Sequence, residues 1–360
     1  VKAAVLRAYG GELSVEDVEL PPPGAGQVRV RLAASGVCHS DLSVVQGAFS
    51  QPLPAVLGHE GAGTVVEVGP GVSSVQPGDH VVLSWVAPCR RCRWCLGGHV
   101  ELCAHGIDHA FGSPYATVGG EGVFAAFGTA TFATETVVPE ACAVPIDPGF
   151  PLDLAALVGC GVVTGIGAVC NSARVRPGES VAVVGCGGVG LAALQGARLA
   201  GAHPIVAVDR VAAKFDLARA CGATDCVDAA EVDPVTAVRE LTGGQGVDHA
   251  FEVVGLSTTI RQAYGMARRG GTVTVVGAGR FDDEVHFGAM ELMADAKTIR
   301  GCVYGATDPR RDFPAIVSLH AAGLIDLGAL VTARAALDGV NDAFRAMAAG
   351  EGARTLLVLD

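Results

Sequence analysis

The apolar run Val181–Val184 leads directly into Gly185-Cys186-Gly187-Gly188-Val189-Gly190, a G-x-G-x-x-G turn, and an apolar-periodic stretch follows over residues 189–200. No other feature of the chain restricts its fold as much. A strand passing through such a turn into a helix opens a βαβ unit, and a βαβ unit requires a parallel sheet. The alternation continues downstream. Residues 205–208 read as a second strand ending at Asp209, 212–221 as a helix, 250–254 and 272–276 as two more strands, and 258–268 as the helix between them. Gly185 makes the tight turn, Gly187 lets backbone approach a pyrophosphate, and Gly190 lets helix and strand pack closely. Gly188 and Val189 place the orphan N–H groups of the helix N-terminus toward the phosphates. Asp209 follows Gly190 by about twenty residues, where an acid accepts the adenosine ribose hydroxyls. Its charge repels a 2′-phosphate and favours NAD, whereas Arg210 beside it is the residue type that serves NADP.

The first 150 residues read differently. Short apolar or alternating runs over 28–32, 63–68 and His80–Leu83 are separated by Pro21-Pro22-Pro23-Gly24, Gly69-Pro70-Gly71 and Pro77-Gly78-Asp79. Frequent strands with such breakers predict a compact β barrel or sandwich. Past Gly301 come helix-like segments at 313–322 and 340–349, then a last strand at 355–359. A chain of 360 residues suits two domains better than one. Its net charge of −12 argues against a nucleic-acid backbone or an anionic membrane surface as the main partner. No charge-free and glycine-free apolar run is long enough for a transmembrane helix, and residues 1–10 lack a signal pattern. A soluble, cytoplasmic protein is expected.

Of 12 cysteines, Cys89, Cys92, Cys95 and Cys103 crowd into C-x2-C-x2-C-x7-C. Cysteines at this spacing can turn four thiolates onto one tetrahedral zinc, and Arg90, Arg91 and Arg93 would offset the excess negative charge. The spacing is also close to iron–sulfur runs. Zinc is the expectation, in a closed structural site. Three further elements, Cys38-His39-Ser40-Asp41, Gly58-His59-Glu60 and Gly159-Cys160-Gly161, together offer Cys, His and Cys. That set suits a catalytic zinc whose fourth position is left open.

With Gly36-Val37 ahead of Cys38, these motifs fall in an order that resembles the zinc-dependent, medium-chain alcohol dehydrogenases over the whole chain. The resemblance implies an α/β protein: a GroES-like β-barrel catalytic domain at 1–160 and 302–360, with the structural-zinc lobe at about 86–106, and a Rossmann dinucleotide-binding domain at 161–301. It implies two zinc ions per chain and NAD. Cys38, His59 and Cys160 correspond to the catalytic zinc ligands, Glu60 to an acid that can swing onto the metal, and Asp41 to the carboxylate that orients the ligand histidine. Ser40 matches the hydroxyl that takes the substrate proton. Thr164, Val189 and Val276 fall at nicotinamide contacts, Val254 at a further cofactor contact, and Lys214 at the ribose edge. Arg354 falls at the pyrophosphate, and so does His39, where many relatives carry arginine. Ser43 stands where many relatives pass the proton on through histidine. Phe49 and Trp85 fall in the substrate channel, where two large rings favour slender or flat primary alcohols, aromatic or medium-chain allylic.

Residues 159–167 and Arg311-Asp312-Phe313-Pro314 also resemble thiol-cofactor-linked formaldehyde dehydrogenases, including the S-(hydroxymethyl)mycothiol branch. A nicotinoprotein that retains NAD and a non-enzymatic NAD-binding protein are the remaining alternatives. The resemblance further implies a small alcohol or aldehyde substrate and a homodimer or homotetramer.

Overall fold

A computed structural model describes residues 1–110, 112 and 114–359. Contacts divide the chain into two units. The first comprises Val1–Gly161, Thr307–Ala322 and Val331–Asp360, and the second Val162–Ala306 and Gly323–Leu330. The second unit therefore runs five residues beyond 301 and takes back a short later segment.

In the first unit, the strand Gln27–Gly36 alternates, with Val28, Val30, Leu32 and Ala34 buried between more exposed neighbours. That period of two lays one face of the strand on a core shared with Leu6, Leu57, Leu83 and Phe132. Gln27–Gly36 pairs antiparallel with Glu60–Val68, Glu135–Pro139 and Arg354–Val358, within a seven-stranded sheet that also holds His80–Leu83, Ala143–Pro145 and Val331–Ala335. A five-stranded sheet of Ser14–Asp17, Lys2–Leu6, Ala55–Val56, Glu121–Ala125 and Pro114–Val118 completes the GroES-like part.

The second unit carries a six-stranded, all-parallel sheet in the order Asp225–Asp228, Ile205–Asp209, Val181–Val184, Val247–Glu252, Ala267–Val275 and Thr298–Gly301. Val181–Val184 is buried at every position, as befits a strand with both faces covered. The helix Gly188–Leu199 opens at the fingerprint, and Gly187 precedes it in extended backbone.

Among the element boundaries that differ from the sequence reading, two have a visible cause. The strand expected at 250–254 is Val247–Glu252. It stops early because the Glu252 carboxylate accepts the N–H groups of Val254 and Gly255, each at 2.8 Å, and turns the chain away from the sheet. The helix expected to run to Arg268 ends at Met266, and Ala267 already pairs with Val247. Among the described residues no single helix is long and apolar enough to cross a membrane.

Candidate active site

Strand register brings the first cluster together. Gly36 pairs with Glu60 across the sheet, so the residues just past one strand end and just before the next are neighbours. Cys38 and His59 occupy those places. Cys160 arrives from Leu157–Gly159, a turn of 3-10 helix. Its flanking glycines are required by close approach. A Cβ on Gly161 would lie 1.5 Å from Arg354 Nη2, and one on Gly159 would lie 2.9 Å from the Leu83 carbonyl oxygen. One ligand atom each from Cys38, His59, Glu60 and Cys160 lie within 4.8 Å of one another.

The surroundings suit a dication. His59 is 1% exposed, and its Nδ1 lies 3.2 Å from Asp41 Oδ1, which also accepts the Gly58 N–H at 2.9 Å. An imidazole whose Nδ1–H is held by a carboxylate presents Nε2 as a metal ligand. Burial works against the His59 cation, but the charges of Asp41 and Cys38 outweigh it and raise the imidazole well above its ordinary value. Cys38 is held well below the ordinary thiol range, first by a hydrogen bond from Cys160 and then by His59 and Arg354. The same bond, with burial, raises Cys160. The thiolate and carboxylate that raise the imidazole leave negative charge in a buried site, and a cation bound there in place of the proton would offset it. Burial pushes the Glu60 carboxyl up to about 7 against the pull of Arg354. Its Oε1 accepts from the Gly161 N–H at 3.1 Å and meets Arg354 Nη1 at 3.2 Å, while the buried Oε2 has no hydrogen-bond partner. An orphaned buried carboxylate oxygen beside two thiols and an imidazole is a further donor for a metal.

The second cluster lies in the same unit. Cys89, Cys92, Cys95 and Cys103 also bring their sulfurs within 4.8 Å of one another, with Cys92 Sγ 3.9 Å from Cys103 Sγ. A tetrahedral site with Zn–S near ~2.3 Å has edges of ~3.8 Å, so the spacing fits a single ion. A polynuclear iron–sulfur core would hold its thiolates further apart. Backbone N–H groups support the sulfurs: Cys92 N–H points at Cys89 Sγ and Cys89 N–H at Cys103 Sγ, each at 3.3 Å. Such amides, the Cys95 N–H first, lower the Cys92 thiol to about 6, while burial and the neighbouring thiols raise Cys95 to about 12.

In the second unit, Gly185 has φ +103°, and a Cβ on Gly190 would lie 1.8 Å from the Gly185 carbonyl oxygen. A Cβ on Gly187 would meet nothing within 4 Å, so the turn leaves open space above its backbone. Asp209 Oδ2 accepts the Cys186 N–H at 2.7 Å and Oδ1 the Val211 N–H at 2.9 Å, with Lys214 Nζ at 3.7 Å. The acid and the glycine turn are thus one assembly. Val189, Val276 and Thr164 are at most half exposed, Val254 is more open, and Arg210 is exposed.

Ser40 Oγ lies 3.8 Å from Cys38 Sγ, on the helix His39–Val45, and His39 is exposed. Ser43, one turn on, is half-buried. Phe49 packs against the barrel core. Trp85 reaches the cluster through another ring: Phe127 packs 4.4 Å from the His59 ring, and Trp85 meets Phe127 edge-on at 6.3 Å. Arg354 is 6% exposed, bound to Glu60 and to the Val37 carbonyl at 3.3 Å. Phe127 and Glu252 were missed from sequence. Nothing in the residue pattern singles out one phenylalanine near the ligand histidine. A lone acid at the end of an apolar strand, as at Glu252, is a faint signal of a turn-closing carboxylate.

Comparison with known proteins agrees with this geometry. A family model described as alcohol dehydrogenase GroES-like domain matches residues 24–148, and one described as zinc-binding dehydrogenase matches 188–322. An S-(hydroxymethyl)glutathione dehydrogenase from Escherichia coli O157:H7 is 39% identical, with 99% of each chain covered. Among solved structures, an alcohol dehydrogenase zinc-binding domain protein from Burkholderia ambifaria superposes with a TM-score of 0.95 at 39% identity, covering 100% of this chain and 98% of that one. Benzyl alcohol dehydrogenase from Acinetobacter calcoaceticus superposes at 0.94 with 33% identity, covering 100% and 99%. With both family models, near-complete coverage and two metal-competent clusters in agreement, the chain belongs to the zinc-dependent medium-chain alcohol dehydrogenase family.

Proposed function

We propose that this chain is an NAD-dependent dehydrogenase that interconverts a primary aromatic or medium-chain allylic alcohol and its aldehyde. The observation that supports the substrate class is the aromatic character of the first cluster's surroundings, with Phe127 tilted against the His59 ring and Trp85 edge-on to Phe127. An aryl or allyl group packs edge-to-face among such rings more favourably than a branched alkyl group. Cys38, His59 and Cys160 would hold the catalytic zinc with Glu60 in reserve, and Cys89, Cys92, Cys95 and Cys103 a structural zinc. The ion supplies Lewis acidity, which makes an alcohol a stronger acid and a carbonyl a better hydride acceptor.

The chain's own groups do the rest. Ser40 accepts the substrate hydroxyl proton, and the helix that carries it places Ser43 one turn on, where the proton leaves to water. Asp41 keeps the His59 ring oriented. The fingerprint glycines receive the pyrophosphate, and Asp209, with Lys214 beside it, takes the adenosine ribose. Thr164, Val189, Val254 and Val276 border the nicotinamide. Alcohol and NAD+ become aldehyde, NADH and one proton. A panel of benzyl alcohol, cinnamyl alcohol, hexanol and 2-propanol with NAD and NADP tests the proposal. Benzyl and cinnamyl alcohols with NAD should give the highest kcat/KM, and a preference for 2-propanol or for NADP would contradict it.

A second reading is favoured by the identity to S-(hydroxymethyl)glutathione dehydrogenases: oxidation of a formaldehyde–thiol adduct. Formaldehyde oxidation that requires glutathione or mycothiol would establish it in place of the first.

A homo-oligomer is also proposed. Thr298–Gly301 is an edge strand exposed at all four positions, and Met290 and Met293 nearby are 70% and 68% exposed. An unpaired edge with apolar neighbours is a template for a second copy. Light scattering should give twice or four times the chain mass.

A further inference from the structure

The helix Ala104–Ala110 begins directly after Cys103, the fourth sulfur of the four-cysteine lobe. At Gly106 it presses on the segment that leads to Cys89, since a Cβ there would lie 3.0 Å from the Ala87 carbonyl oxygen. At its far end, His109 Nε2 donates to the Gly128 carbonyl at 3.2 Å. Gly128 has φ +69°, and a Cβ on it would lie 2.8 Å from the His109 ring, so a side chain there would break the contact.

Next to it, Phe127 is 6% exposed and holds φ +53°, ψ +19°, the left-handed region that residues with a Cβ avoid. Such a conformation persists only where neighbours impose it. One neighbour is His109 through Gly128. On the other side, Thr129 Oγ1 and Thr131 N–H both donate to the Gly58 carbonyl, at 3.3 and 2.9 Å. Residues 126–131 therefore grip Gly58 by its backbone and His59 by its ring.

We infer that His109 is a positioning residue through which the four-cysteine lobe holds Phe127 against His59. The inference rests on His59 being a metal ligand. His109 touches neither metal nor substrate in this account. It fixes the Gly128 carbonyl, that fixes the Phe127 backbone, and the Phe127 ring limits rotation of the His59 imidazole. A closed lobe filled by its ion would thus stiffen the open site in the same unit.

The chain has two tryptophans, so Trp94→Phe leaves Trp85, which touches Phe127, as the sole reporter. In that background, and with the four-cysteine lobe loaded with zinc, His109→Ala should red-shift Trp85 emission. In the metal-loaded protein it should speed metal release from the Cys38–His59–Cys160 cluster to a chelator by about threefold or more, short of the ~10–100-fold expected when a ligand loses its direct partner. His109→Gln, whose amide can still donate to Gly128, should restore both readouts. Cys92→Ser, which empties the lobe, should reproduce the emission shift. Wild-type emission and release in folded His109→Ala would overturn the inference, as would unchanged emission in Cys92→Ser once the lobe metal is gone. If His109→Ala fails to fold, release and emission in His109→Gln and His109→Asn decide: Asn is too short to reach Gly128, so the two must differ. A wild-type protein that takes no metal at the His59 cluster would instead refute the proposed function, and Trp85 emission would still report whether His109 holds Phe127.

Discussion

Asp41 sits at 0% exposure with one oxygen shared between the Gly58 N–H and His59 Nδ1. A ligand histidine that loses such a partner loses both its tautomer and its aim. Asp41→Ala should weaken metal binding at the Cys38 cluster by ~10–100-fold in a chelator competition, and wild-type affinity would contradict the assigned orientation. Gly161→Ala tests close packing instead of chemistry. Its Cβ would overlap Arg354, and the forced shift should lower stability by about 1–3 kcal/mol in a denaturant titration. An unchanged midpoint would mean that Arg354 does not lie where the structure puts it.

Elements explain what single residues cannot. The residue types offered Cys38, His59 and Cys160 as a set. That they are neighbours follows from the pairing of Gly36 with Glu60 and from the turn after residue 156. The α/β class was legible because Val181–Val184 and its glycine turn admit few alternatives. The role of Phe127 was not, because it depends on a left-handed backbone that no propensity signals at phenylalanine. The position of Arg354 on Glu60 was equally hidden, since it needs the register that lays the last strand beside Gly36.

The lobe is also an element-scale object. Arg90 ties it to the helix Pro309–Ala321 by two 2.6 Å hydrogen bonds to Asp308, whose carboxyl Arg90 holds below the usual aspartate range. A carboxylate whose pKa falls on folding stabilises the fold above its unfolded value, and that contribution fades as the pH drops through the folded value. Asp308→Asn should therefore lower the Tm at neutral pH, and its deficit should shrink as the pH falls below about 4, where free aspartate protonates. A deficit that stays constant in acid would show that the ion pair contributes nothing. Cys92→Ser should also lower the Tm, because a closed metal site contributes to folding free energy.

At the scale of the whole molecule, the two clusters lie in the first unit and the glycine fingerprint in the second. The proposed reaction needs both. In the proposed reaction, Asp209 is the point where the second unit sets cofactor choice. Asp209→Ala should lower the ratio of kcat/KM with NAD to that with NADP, since the carboxylate no longer repels a 2′-phosphate, and an unchanged ratio would contradict that role. The central claim is one dication held by Cys38, His59 and Cys160, and metal analysis tests it most directly. Purified wild-type protein should carry two zinc ions per chain, one for each cluster. Cys38→Ser should carry one, with turnover abolished and the fold retained. Two zinc ions and wild-type turnover in Cys38→Ser, or a single zinc in active wild-type protein, would contradict the account.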